Sequence, residues 1–433
     1  EGGDVITLDP LLIRIAGGTA TNGTIVYQCG TINESGVYTM NQSIVNNSLS
    51  LHCLRILTSN VILNCNGYSI SSTSNRAGVY SNSANTTVKN CDIDMGEGYL
   101  GFGVFLDGAD NSTIFNNTLN NQYSGIDTAS SPDNLNISLN NISNTSDTAM
   151  GLSGNNHILR DNIVTFNGYL IVGNVGGIDL GANNNTLINN TINSNNQTGI
   201  MIGGDYNVIN NNTITYNQRY GIEFDGRPFQ NQILNNNLSN NDIAGAFISI
   251  TSNTELINNT FYSNKQTGLY VDGSNNVTIE NNDFWNCSSE NDVYSCINVS
   301  EINLPYYSNG PNVFLNNKIN LTEGRGIYVV DNDNQIFKNT HIYNVVGSNL
   351  PIQIDSNSEN NSFVNITYDS GDAESVSSGG EFIRKWYFSS YVNDSNGNSI
   401  VNADVVFYDI NNILRHNVTT NSSGWINNVE ISD

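Results

Sequence analysis

Between Gly177 and Phe284 the apolar residues keep fixed places in one recurring phrase: GIDLGANNNTLINNTINSNNQT, GIMIGGDYNVINNNTITYNQRY, GIEFDGRPFQNQILNNNLSNNDIA, GAFISITSNTELINNTFYSNKQT and GLYVDGSNNVTIENNDF. The leading glycines, at 177, 199, 221, 245 and 268, stand 22, 22, 24 and 23 residues apart, a period that announces stacked repeats. After each glycine, aliphatic and polar residues alternate, with Ile178 and Leu180 around Asp179, and Ile222 and Phe224 around Glu223. That period of two predicts a short strand with one buried face. Leu187, Ile209, Ile233, Leu256 and Ile279 form a second apolar column, and Ile192, Ile214, Leu238, Phe261 and Phe284 a third. Three short strands per copy are too few for a sheet of their own. Stacked coils with parallel strands pair every backbone group with the coil above and below, at about 4.8 Å per coil, and enclose the three columns in a tube. Helices fit badly, because Asn is a poor helix-interior residue and about 23 residues hold barely one helix.

The asparagines extend the pattern. Asn190, Asn212, Asn236, Asn259 and Asn282 share one place in the repeat, and Asn195, Asn217, Asn241 and Asn264 another. Asn tolerates left-handed backbone, and its amide can bond both its own turn and the next coil, so each column predicts a hydrogen-bonded ladder at a corner. A disordered Asn-rich tract would not hold aliphatic columns in register.

These phrases, with NVILNCNGYSI at 60–70 and TTVKNCDI at 86–93 ahead of them, resemble the right-handed parallel β-helix repeats of the pectate-lyase-like superfamily, and most closely the NosD-type repeats of archaeal and bacterial surface proteins. The resemblance covers roughly residues 51–370 and implies an all-β fold, a right-handed parallel β-helix. It implies little about activity, since that solenoid serves lyases, hydrolases, epimerases, adhesins and structural proteins. The copper-enzyme maturation associated with NosD is not carried over, because no Met, Cys or His cluster is present.

Around this solenoid the chain divides further. Residues 1–50 (VITLDPLLIRIAGG, TIVYQCG, GVYTMNQSIV) are less repetitive and are expected to cap the first coil. The early coils, led by Gly78, Gly103, Gly125 and Gly151, are looser, and an insertion spans 285–311. DSGDAESVSSGG, 369–380, breaks the pattern and places a linker at 371–380. From Glu381 to Asp433, aromatic and β-branched strands alternate with Asn-Gly and Ser-Gly turns. This stretch resembles a small immunoglobulin-like or carboxypeptidase-regulatory-like β-sandwich, stopping near four strands where a complete one has about seven. The open edges predict strand exchange with another copy, with the apolar segment 5–16 as donor and head-to-tail assembly as the result.

Composition places the chain outside the cell. It carries 14 basic against 39 acidic residues, a net charge of −25, which excludes nucleic acid and anionic lipid as partners. It contains 25 Asn-x-Ser/Thr sequons, of which Asn22, Asn33, Asn41, Asn85, Asn111, Asn184, Asn276, Asn320, Asn393, Asn417 and Asn421 are the candidates for N-glycans. Those at Asn189, Asn211 and Asn258 fall in the ladder turn, where a glycan fits poorly. Six cysteines, an even number, agree with an oxidising compartment. Cys65 and Cys91 stand in matching phrases 26 residues apart, so adjacent coils bring them within disulfide reach. Cys29 and Cys53 then pair by exclusion, and Cys287 and Cys296 close a loop in the insertion. The chain opens at Glu1 as a processed protein would, and no apolar run of 18 residues predicts a membrane span.

Candidate chemistry is sparse. Asp127, Asp179 and Glu223 share the outward place two after the glycine, with Ser153 and Met201 expected in the coils between. Two coils apart is roughly 9.6 Å, at the edge of the spacing for an inverting glycosidase pair. No Tyr, His or Arg is expected at neighbouring equivalents, so an ordinary solvated face is the simpler expectation. Asp92, Asp94 and Glu97 in CDIDMGEGY are a calcium candidate; no other cofactor is expected. Nine arginines are scattered, His52, His157, His341 and His416 are isolated, and VGNVGG at 172–177 lacks the strand-turn-helix setting of a nucleotide loop. The favoured expectation is a non-enzymatic glycosylated rod in a surface layer, filament or adhesin stalk, with itself or other surface proteins as partners. The alternative is a polysaccharide lyase or glycoside hydrolase working in the groove.

Overall fold

The computed structural model describes residues 24–170, 175–288, 294–300, 310–346, 350–369 and 371–432. Each copy of the phrase folds into one coil of three short strands, and successive coils pair in parallel to build three long sheets. About 14 coils stack, and the described residues hold no helix. In the first sheet the glycine-led strands place Ile178 on Ile200 on Ile222. The second sheet stacks Leu187, Ile209, Ile233, Leu256 and Ile279, and the third Ile192, Ile214, Leu238, Phe261 and Phe284. All of these side chains are buried and form one core along the tube. Towards the C-terminal end the second column turns aromatic, and Phe314, Phe337, Phe363 and Phe382 stack with ring centroids 4.3, 4.8 and 4.4 Å apart.

The leading glycine is a steric requirement. A Cβ at Gly199 would stand 2.8 Å from the carbonyl oxygen of Gly221, and one at Gly221 would stand 2.5 Å from that of Gly245. At these two coils the neighbouring backbone comes too close to the corner for a side chain to enter without a shift.

Both asparagine ladders form. Asn212 Oδ1 accepts the backbone N–H of Asn190 at 2.8 Å and its Nδ2 at 3.0 Å, while Asn212 Nδ2 donates onward to Asn236 Oδ1 and back to the Leu187 carbonyl, each at 3.0 Å. The column runs unbroken from Asn117 through Asn140 and Asn162 to Asn317. The second ladder links Asn167, Asn195, Asn217, Asn241 and Asn264. A third, Asn185, Asn207 and Asn231, escaped the sequence reading. The residue before each member of the main ladder takes the left-handed backbone that Asn tolerates, with φ of 57, 55 and 57 at Asn189, Asn211 and Asn258. These three sequon asparagines are exposed, contrary to the expectation of a crowded turn, because the ladder place belongs to the next residue.

The ends differ from the sequence reading. Residues 24–50 are not a separate cap: Thr24–Val26, Gly30–Ile32, Gly36–Met40 and Ile44–Val45 already pair as solenoid strands. Residues 1–23, including Asn22 and the apolar segment at 5–16, lie outside the described residues. Within the stretch read as a linker, Ser375–Val376 pairs parallel to Ile352–Ile354. The solenoid then runs without a break into Phe382–Tyr391, which pairs parallel with Asn361–Val364 on one side and antiparallel with Trp425–Ser432 on the other. A hairpin of Asp404–Tyr408 and Leu414–Thr419 completes four C-terminal strands and packs Phe407 edge-on against Phe388 at 5.1 Å. All six cysteines are paired as expected, Cys29–Cys53, Cys65–Cys91 and Cys287–Cys296, with Cα–Cα distances of 4.5, 4.7 and 5.2 Å.

Candidate active-site groove

On the outer face of the first sheet, register fixes a column with one place per coil: Arg55, Tyr80, Phe105, Asp127, Gly151, Asp179, Met201, Glu223, Phe247, Tyr270, Asn298 and Tyr328. Gly151, not Ser153, stands between the two aspartates. In that coil Ala149 takes the corner place held elsewhere by glycine, and its carbonyl accepts the Ile126 N–H there, so counting from Gly151 runs two residues too far. The expectation that no Tyr, His or Arg flanks the acids is also overturned. Tyr80 and Phe105 precede Asp127, and Phe247 and Tyr270 follow Glu223, so aromatic rows bracket the acids along the axis.

The N-terminal row is elaborated into a groove of about 610 Å³ lined by His52, Arg76, Tyr99, Leu100, Phe102, Phe105, Tyr123, Asp127 and Asp147. Phe102 and Phe105 stack at 4.8 Å, Tyr80 stacks on His52 at 4.8 Å, and Tyr99 packs on Tyr123 at 5.2 Å. Tyr99 is 73 % exposed and Leu100 42 %, standing up as a wall over the floor. Their loop is tied down by Ser146 Oγ, which donates to the Glu97 carbonyl at 3.2 Å. His52 Nδ1 accepts the Ala77 N–H at 2.9 Å, so the neutral ring carries its proton on Nε2. Burial, then Arg76 and Arg55, hold its pKa below the ordinary histidine value.

A second hollow of about 340 Å³ continues the groove and is lined by Asp127, Asp147, Gly151 and Asp179 among others. Asp127 sits half-buried where the two meet, and its carboxyl is pushed up to about 7, mainly by burial and further by the charges of Asp147 and Asp179, against the lowering effect of the Thr128 backbone N–H. Asp179 is raised too, by burial and by Asp225 and Asp147. A Cβ at Gly151 would meet Asp127 Oδ2 at 3.4 Å, so glycine keeps the floor between the two acids open. Glu223, 6 % exposed, accepts Thr198 Oγ1 at 2.6 Å and pairs with Arg219 at 3.3 Å. Its pKa is raised by burial, with Thr198 and Arg219 opposing. An ordinary solvated face, the expectation from sequence, would leave these groups unshifted.

The calcium candidate is not assembled. Asp92 and Asp94 point outward from the third sheet, with Asp94 accepting Asn121 Nδ2 at 3.2 Å, while Glu97 lies in the following loop beside Tyr169. Among the described residues no three acidic, His or Cys side chains converge as metal ligands. Of the sequon asparagines, Asn33, Asn41, Asn85, Asn111, Asn184, Asn276, Asn393, Asn417 and Asn421 are exposed and Asn320 is partly covered, accepting Asn344 Nδ2 at 2.8 Å.

The family profile described as right handed beta helix region matches residues 176–304. Together with the three parallel sheets, it makes the chain an all-β right-handed parallel β-helix. Solved structures similar to it include the A-module of a mannuronan C-5 epimerase from Azotobacter vinelandii, with 16 % identity, 80 % of this chain and 91 % of that one covered, and a TM-score of 0.48. The tailspike protein of E. coli bacteriophage HK620 aligns at 11 % identity over 92 % of this chain and 84 % of its own, with a TM-score of 0.50. At such identities the likeness is one of fold. No curated protein matches the chain.

Proposed function

We propose that this chain is an extracellular β-helix that binds a glycan along the outer face of its first sheet and hydrolyses a glycosidic bond between Asp127 and Asp179. The observation that carries the reading is Asp127: a carboxyl pushed up to about 7, in an aromatic-walled groove, with a second carboxyl two coils along. A sugar ring standing over Gly151 has one acid on each side. The roughly 9.6 Å given by two strand spacings lies at the wide edge of the inverting range, which leaves room for a water. Protonated Asp127 donates its proton to the glycosidic oxygen as the C–O bond breaks. Asp179, as carboxylate, takes a proton from the water whose oxygen forms the new bond at the anomeric carbon, so configuration inverts. The aromatic rows supply stacking platforms on both sides of the centre. Three disulfides with no free cysteine among the described residues support an oxidising compartment.

The test is incubation with a panel of neutral and substituted polysaccharides, following new reducing ends and their anomeric form by NMR. We expect turnover with inversion, lost in Asp127→Asn while binding persists. Turnover undiminished in Asp127→Asn would sink the assignment.

A second reading, a non-catalytic rod or adhesin stalk, is favoured by the unbroken Asn ladder and the exposed sequons. Glycan binding without turnover in the wild type would select it.

A further inference from the structure

The groove is acidic at its centre, yet its N-terminal end gathers Arg55, Arg76 and His52 in a protein with only 14 basic residues. Arg55 occupies the outward place beside Tyr80, and Arg76 lines the groove with His52. Both arginines act on His52 electrostatically, so the three groups share one locality. In a chain of net charge −25, arginines ordinarily find carboxylates. Among the described residues, the ion pairs found use Arg219, Arg384, Arg415 and three lysines, and neither Arg55 nor Arg76 is among them. Arg76 is held by neutral carbonyls, with Nε donating to Ser50 at 3.2 Å and Nη1 to Asn75 at 2.7 Å. Its guanidinium is thereby fixed at the groove wall with its charge uncompensated. His52 adds an Nε2–H donor, since its Nδ1 is engaged by Ala77.

Resting on the glycan-groove reading, the geometry points to an oxyanion subsite at Arg55, His52 and Arg76 that takes a single sulfate or carboxylate substituent of an otherwise uncharged glycan. Two forked donors and an N–H match the oxygens of such a group. The aromatic rungs of Tyr80 and Phe105 separate it from the acids: Arg55 stands three strand spacings from Asp127, roughly 14 Å along the axis. Neutral sugars fill that interval on the rings. A polyanion with a charge on every sugar is disfavoured, because its next carboxylates would lie over the row of acidic side chains formed by Asp107, Asp127, Asp147 and Asp179. The substrate class is therefore a sparsely charged glycan, in contrast to a polyuronate.

The experiment is calorimetric titration of the full chain with three probes: a sulfated galactan oligosaccharide carrying one sulfate, its desulfated counterpart, and an oligogalacturonate of equal length. We expect the singly sulfated probe to bind about tenfold or more tighter than the desulfated one, as charge-assisted hydrogen bonds imply. That preference should shrink with added salt. It should disappear in Arg76→Gln and in Arg55→Gln, with both variants still showing a cooperative thermal transition. Equal affinity for the sulfated and desulfated probes, a preference that survives both variants, or tightest binding of the oligogalacturonate would each overturn the subsite and leave the glycan groove standing. Binding of none of the three would overturn both. Should either variant fold poorly, the salt dependence of the wild-type preference decides alone.

Discussion

Asn212→Leu tests the ladder at its middle. The side chains are close in size, so the change opens little cavity, and its cost comes from polar groups stripped of partners. In the native coil Asn212 Oδ1 is the acceptor for the Asn190 N–H and for one Asn190 Nδ2 hydrogen, at 2.8 and 3.0 Å, and its own Nδ2 satisfies the Leu187 carbonyl at 3.0 Å. Leucine orphans all three in a place where Asn190 and Asn212 are each 1 % exposed. At about 1 to 3 kcal/mol per unsatisfied buried group, partly offset by the added apolar burial, the coil loses about 3 to 6 kcal/mol. Solenoid stability is summed coil by coil, so the loss is local and best read by hydrogen exchange with mass spectrometry. Protection of peptides across residues 177–244 should fall by about 10²- to 10⁴-fold, with peptides from the first coils unchanged. The control is Asn184→Gly. Asn184 is exposed with φ 56, so glycine keeps the turn without steric cost, whereas leucine would add left-handed strain of its own. Equal protection in Asn212→Leu and Asn184→Gly would refute a buried ladder that carries stability.

Gly221→Ala should destabilise its coil by about 1 to 3 kcal/mol, since the new methyl meets the Gly245 carbonyl at 2.5 Å, and a denaturant midpoint equal to wild type would contradict the close approach at that corner. Asp127 has its folded pKa raised from 3.8 to about 7, so its stabilising contribution is whole below pH 4 and is lost as pH rises through 7; the thermal midpoint should fall across that window, and Asp127→Asn should flatten the fall. The same protonation sets the alkaline limb of activity near pH 7. Non-reducing peptide mapping should return Cys29–Cys53, Cys65–Cys91 and Cys287–Cys296, and a Cys65–Cys287 link would contradict the stacking.

The solenoid was legible because stacking leaves the same physical mark in every coil: Ile178, Ile200 and Ile222 are buried for one reason, so they recur at one place. The Cys65–Cys91 pair followed from that register, and Cys29–Cys53 from it by exclusion. The groove was hidden because its side chains need not recur. The rule that found Asp127 and Asp179, two after the leading glycine, also points from Gly78 to Tyr80 and from Gly103 to Phe105, and extending it would have revealed the first aromatic row. It misplaced Gly151 because Ala149 had taken the corner. His52, Arg76 and Asp147 lie at turns outside the repeat, and Tyr99 on a loop of its own, where period carries no information. The C-terminal strands read correctly as strands, but nothing in their composition revealed that Phe382 continues the aromatic stack of the solenoid.

Because each outward column advances by one place per coil, distances along the groove come in whole rungs. A chain of this construction changes length by gaining or losing complete coils, and each such event leaves the core columns, the glycine corner and the amide ladders in phase. Removing the coil from Gly199 to Tyr220 would bring Glu223 to the place of Met201, directly against Asp179, and turn a wide pair of acids into a close one without altering a residue at either. Divergence in such a protein is quantised: duplication and excision reset the spacing between acid, aromatic and cationic rungs in steps of one strand separation. Point substitution then needs only to choose what each rung carries.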